Sequence, residues 1–154
     1  MAIPKSIHEA KGLWKGKSRL NLPWLPADKQ VSESNSSLHI DSDGNNTYAT
    51  ITYNWSHEGK RQEGTIILSE STDSKAVELG WVDSWHQNSG VLHLVGEESD
   101  SGSVKVKGTY GPAKEPWGWT IEFQRAGNQL SMNMDNIKPS GEAIWAVKAT
   151  YSRD

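Results

Sequence analysis

The sequence predicts an all-β protein: a single up-and-down antiparallel barrel of about ten strands, preceded by one short helical turn. Three observations carry that expectation. Apolar residues recur at every second position almost everywhere after residue 11, as on strands with one buried face. The alternating runs are separated by a few residues rich in Gly and Asn, which accept the positive φ of tight hairpins, so sequence neighbours become antiparallel neighbours. No amphipathic helix of useful length is present, and a meander that closes on itself removes its exposed edges.

Taken in order, Ser6-Ile7-His8-Glu9 has the spacing of a capping box, and Gly12 can end the resulting turn. Strands are expected near 12–20, 32–40, 47–56, 62–70, 76–84, 90–97, 103–110, 117–124, 129–135 and 142–152. Between the first two, Pro23 and Pro26 predict a loop over 21–30 with at most one helical turn after Pro26. Hairpin signals are Asp43-Gly44-Asn45, Glu58-Gly59-Lys60, Ser101-Gly102 and Ala126-Gly127-Asn128. Alternation is clearest in four sets. They are Val77, Leu79, Trp81, Asp83 and Trp85; Trp117, Trp119, Ile121 and Phe123; Leu130, Met132 and Met134; and Ala143, Trp145, Val147, Ala149 and Tyr151.

The 154 residues fit one domain, 1–154, able to bury roughly 70% of the surface of its unfolded chain. No apolar run approaches the roughly 18 residues that a spanning helix needs. A net charge of −3 with both signs interspersed leaves no basic footprint, so neither nucleic acid nor an anionic membrane is an expected partner. The absence of cysteine excludes a disulfide scaffold, a thiol nucleophile and a thiolate metal site. Residues 1–11 carry no apolar signal segment; a cytoplasmic location is therefore expected, and the glycosylation-type motifs at Asn35, Asn45 and Asn54 read as incidental. Eight Trp against one Phe is not how a generic core is filled.

A short N-terminal turn, then Gly12-Leu13-Trp14 entering the first strand, then an antiparallel meander, resembles the calycin superfamily of lipocalins, fatty-acid-binding proteins and nitrobindins. The resemblance implies a barrel whose closed end is crossed by the Trp14 indole, with Arg153 as its late basic partner. The stretch Trp81-Val82-Asp83-Ser84 followed by a meander looks most like bacterial lipocalin-like domains, from which no activity is imported. Residues 21–30 are too short for the two-helix lid of fatty-acid-binding proteins. Gly12, Trp14 and Gly16 match the nitrobindin opening, but those proteins hold haem through a late histidine and this chain has none after His93, so haem is not expected.

If the alternation holds, Trp55, Trp81, Trp85, Trp117, Trp119 and Trp145 line one interior with Tyr53, Tyr151, Met132 and Met134, as cavity wall or as bulky filler. Trp24, in the Pro-flanked loop, is placed at the mouth as a partial lid. Asp83 stands between two indoles on an apolar face. There, burial would raise its pKa and let it orient a polar ligand group or move a proton; the bland alternative is a strand-end carboxylate accepting from a turn amide or an indole. His86 makes with Asp83 a short-range acid–imidazole pair, whereas His8-Glu9 and His57-Glu58 read as turn surface. His93, flanked by Val91 and Val95 with Leu92 and Leu94 on the other face, implies full burial or an outer interface, hence a possible homodimer. The five histidines have no metal-ligand spacing, and no metal is expected.

The expected function is an intracellular binding protein for a small apolar or aromatic ligand, held without a cofactor in a Trp- and Met-lined cavity with Asp83 or His86 fixing one polar group. Three alternatives have distinct requirements. A small-molecule enzyme would use Asp83 and His86 as an acid–base pair, within hydrogen-bond reach of each other at the cavity. A carbohydrate binder would expose Trp117 and Trp119. A structural or dimerising barrel would have a collapsed interior.

Overall fold

The computed structural model describes residues 2–87 and 89–153. Ten strands follow one another: β1 (Gly12–Asn21), β2 (Val31–Ser42), β3 (Ala49–His57), β4 (Lys60–Glu70), β5 (Ala76–Asp83), β6 (Leu92–Glu98), β7 (Val104–Tyr110), β8 (Trp117–Ala126), β9 (Gln129–Ile137) and β10 (Ala143–Ser152). Each pairs antiparallel with its sequence neighbour, and β1 also pairs with β10 from Lys15↔Ser152 to Leu20↔Val147, closing the barrel. The expected fold is the observed one.

Period two in the sequence becomes inside and outside in the barrel. In β5, Val77, Leu79, Trp81 and Asp83 are buried while Glu78 and Val82 face water; in β9, Leu130, Met132 and Met134 are buried. Turn chemistry matches the ladder as well. Glu58 and Gly59, at φ 51° and 75°, both occupy the left-handed region that a two-residue hairpin between β3 and β4 needs. After Pro26, a single 3-10 turn (Ala27–Lys29) is all the helix that loop 22–30 contains.

The N-terminal helix, α1 (Lys5–Glu9), departs from the capping-box expectation. Pro4 precedes it, and Ser6 lies inside it, giving both its backbone N–H and its hydroxyl to Glu98. Ala10 ends the helix and Gly12, at φ 122°, already begins β1. This helix closes one end of the barrel. Trp14 is fully buried there and donates its indole N–H to Ala10 O at 2.8 Å. The Arg153 guanidinium lies 4.3 Å from the Trp14 ring and donates to the Glu9 and Lys11 carbonyls, each at 2.8 Å. Arg125 adds a 2.7 Å ion pair to Glu9.

The opposite end is the mouth, where the odd strands finish and the even strands begin. Two features shape it. The β6–β7 ladder spans only Val95↔Lys107 to Glu98↔Val104, so the mouth-side parts of these strands are not held in register. In β10 a bulge between Trp145 and Val147 interrupts the alternation. Val147 faces inward opposite Met134, but Trp145 pairs with Asp135 and lies on the outer face, where Lys148 and Arg19 stand 4.6 and 5.8 Å from its ring. The expectation that Trp145 lines the interior is corrected by that one extra residue.

Along the outside of β6, the outward side chains Val95 and His93 are exposed, as is Val91 just before the strand; the His93 ring comes within 4.0 Å of Glu78. Full burial of His93 is therefore overturned. Among the described residues no helix is long and apolar enough to cross a membrane.

Candidate functional site

At the mouth, β3, β4 and β5 assemble a buried polar chain. Tyr53 pairs with Gly64, and Gly64 with Asp83, so tyrosine and aspartate face each other across the middle strand. Gly64 makes the reach possible: a Cβ there would collide with the Tyr53 ring and its hydroxyl. Lying over Gly64, Tyr53 donates its hydroxyl to Asp83 Oδ2 at 2.6 Å and accepts the Trp81 indole N–H at 2.9 Å.

The other carboxylate oxygen organises the following turn. Asp83 Oδ1 accepts the backbone N–H groups of Trp85 and His86 at 2.8 and 3.0 Å and stands 3.1 Å from His86 Nδ1. Burial alone would push the Asp83 pKa up, as the sequence reading expected. The imidazole of His86, the Tyr53 hydroxyl and the His86 backbone N–H together outweigh it, and the pKa lies below the ordinary value. Burial, with the adjacent Asp83 charge, pushes the Tyr53 hydroxyl well above its ordinary range, so phenol and carboxylate form a donor–acceptor pair with fixed roles. An ionised carboxylate only accepts; His86 Nδ1 must therefore carry the proton, which leaves Nε2 as the free end of the ring.

Around this pair the aromatic residues gather. Trp81 stacks on Trp119 with centroids 5.0 Å apart and planes 14° from parallel, and the His86 ring lies 5.2 Å from Trp119. Trp85 meets Trp55 edge-on at 5.8 Å and His57 at 4.9 Å. His57, expected at the turn surface, is instead held in this cluster; its side chain is 13% exposed and its Nδ1 meets Ser32 Oγ at 3.1 Å.

A cavity of about 480 Å³ opens beside the cluster, between β5 and β9. Trp81, Trp119, Leu92, Val91 and Tyr110 give it apolar walls, and His86, Gln87 and Asn136 supply polar ones, with Ser89 and Gly90 at its edge. Tyr110 donates to Asn136 Oδ1 at 2.6 Å, which orients that amide. Two buried polar atoms here have no protein partner among the described residues: the Trp119 indole N–H and Gln87 Oε1. No group of three His, Asp or Glu side chains capable of holding a metal is found among the described residues.

Of the residues singled out from the sequence, Trp81, Trp119 and His86 line this cavity, with Asp83 directly behind His86. Tyr53, Trp55 and Trp85 support the cluster. Met132 and Met134 are fully buried opposite Phe123 and Ile121, in the filled part of the interior, and do not reach the cavity wall. Trp117 is half-buried at the rim, and Trp24 is 70% exposed on its loop, outside the cavity wall. Sequence reasoning missed Gln87, Tyr110 and Asn136, for which it holds no signal. It also missed Gly64, whose place inside a strand was a usable sign of close approach.

No family model and no curated protein sequence matches this chain.

Proposed function

We propose that the protein is a cytoplasmic, lipocalin-like binding protein that takes a small apolar or aromatic ligand at the mouth of its barrel, with His86 fixing one polar group. The calycin-like assignment is supported by the closed up-and-down barrel together with Arg153 stacked on the first-strand Trp14. The observation that carries the binding reading is the Trp119 indole N–H. Trp119 lines the indole-walled cavity, and its buried N–H has no acceptor among the described residues. A buried group left unpaired costs about 1–3 kcal/mol, and a ligand acceptor would recover it. The test is gentle extraction of the purified protein, mass spectrometry of the extract, and tryptophan fluorescence titration with a panel of apolar and aromatic compounds. A bound small molecule and saturable quenching are expected; a clean extract with no quenching overturns the reading.

The 3.1 Å contact between Asp83 and His86 favours a second reading, acid–base turnover at the same cavity, because the aspartate fixes the imidazole tautomer and leaves Nε2 for a substrate. Incubating the extracted compound with the protein in D2O separates the two. A compound recovered chemically unchanged belongs to a carrier, and conversion to a new compound or carbon-bound deuterium belongs to an enzyme. The carbohydrate alternative lacks its requirement, since Trp119 is buried and Trp117 half-buried.

A further inference from the structure

We propose that the cavity selects aromatic molecules bearing a ring hydroxyl, with the hydroxyl oxygen seated between His86 and Trp119. This rests on the ligand-binding reading above and specifies the chemistry of the ligand. Trp119 is 6% exposed, and its indole nitrogen can only donate. His86 spends its Nδ1 proton on Asp83, so in the neutral ring Nε2 can only accept. The two rings are 5.2 Å apart on the same wall, one offering a donor and the other an acceptor.

A hydroxyl is the simplest group that answers both, accepting from the indole and donating to the imidazole. An ether or carbonyl oxygen would satisfy Trp119 and leave Nε2 facing a second acceptor. An amine used as a donor would satisfy Nε2 and leave the indole unpaired. A carboxylate would need a proton on Nε2, and among the described residues no Lys or Arg lines the cavity to help hold its charge. Gln87 points the same way. Its Nε2 donates to the Trp81 carbonyl at 3.1 Å, and its buried Oε1 has no donor among the described residues, again suited to a ligand donor. The ring of the ligand is accounted for by the apolar surfaces of Trp81, Leu92 and Tyr110.

The test compares 2-naphthol with 2-methoxynaphthalene, which keeps the ring and the oxygen but has a methyl in place of the hydroxyl hydrogen. Binding is read by equilibrium dialysis on the unmodified protein and on the variants Trp119→Phe and His86→Phe. Naphthol is expected to bind the unmodified protein about tenfold more tightly, the gain from the hydroxyl's donation to His86 Nε2, which the ether cannot make. His86→Phe is expected to bring that ratio towards one, and Trp119→Phe, which removes the donor that both oxygens accept from, is expected to weaken both compounds about tenfold and leave the ratio. Equal affinities in the unmodified protein overturn the hydroxyl assignment and leave the binding function standing. No binding of either compound, together with a clean extract, removes the binding function itself. The ratio in the unmodified protein decides the matter even if a variant fails to fold.

Discussion

Gly64 is the residue at the mouth on which the polar chain depends. The Tyr53 ring occupies the space where a side chain on β4 would stand, and only so does its hydroxyl reach Asp83. Gly64→Ala should therefore act as an overpacking substitution, costing about 1–3 kcal/mol of stability as the ring is driven off the carboxylate. Tyr53→Phe removes a hydrogen bond to a charged group and should cost about 1.5–3 kcal/mol. Because both changes break the same Tyr53–Asp83 contact, the double variant should lose less than the sum of the singles when urea midpoints are compared. Strict additivity would show that Gly64 does not act through Tyr53. The same residues show how far a site can be seen in sequence. Asp83 and His86 were legible because three positions separate them at the end of an apolar strand, so a turn can fold one onto the other. The direction of the Asp83 shift was not legible, because Tyr53, which helps outweigh burial, comes from thirty positions away.

Among the elements, α1 and the end of β10 form a latch that is separate from the mouth. Arg153 joins them through two carbonyl hydrogen bonds and its stack on Trp14, at the end of the barrel away from the cavity. Arg153→Met keeps much of the stem but loses the charge; it should cost about 2–4 kcal/mol in denaturant unfolding. Ligand affinity at the mouth should stay within about twofold. A large loss of affinity without a loss of stability would contradict the division of the barrel into a structural end and the proposed binding end. The strands themselves were readable because a one-residue slip would expose a whole apolar face, so the sequence must alternate in step with the sheet. Trp145 escaped that logic. Ala146 is an ordinary strand residue, and nothing in its neighbourhood marks it as the extra residue of a bulge, yet it moves the indole to the outside beside Lys148. His57 escaped for a different reason: its partners Trp85 and Ser32 come from other strands and loops, at distances no local pattern reports.

For the whole molecule, ionisable groups held by burial or by hydrogen bonds set a window of pH in which the barrel is most stable. Asp83 has a folded pKa below the ordinary value of an unfolded aspartate, about 3.9. The stability it contributes is therefore fully present above that pH and is lost as pH falls from there through the folded pKa. Asp43 acts in the same direction; the Tyr48 backbone N–H and the groups of Thr47 and Asn45 hold it down to about 2. On the alkaline side the sign reverses. Burial pushes Tyr151 up to about 12 and Tyr53 well above its ordinary range, so their contribution is complete below the unfolded value, about 10, and is lost as pH rises through the folded values. The urea midpoint should accordingly be flat from about pH 5 to 9 and fall on both sides. Asp83→Asn should lower the plateau, since it leaves Tyr53 and His86 without an anionic partner, and should also make the acid limb shallower without abolishing it, Asp43 remaining. Tyr151→Phe should blunt the alkaline limb and leave the acid limb unchanged. An acid limb of the same slope in Asp83→Asn would mean that the carboxylate behind His86 is not held ionised by the fold. The fixed tautomer on which the His86–Trp119 pair depends would then lose its cause.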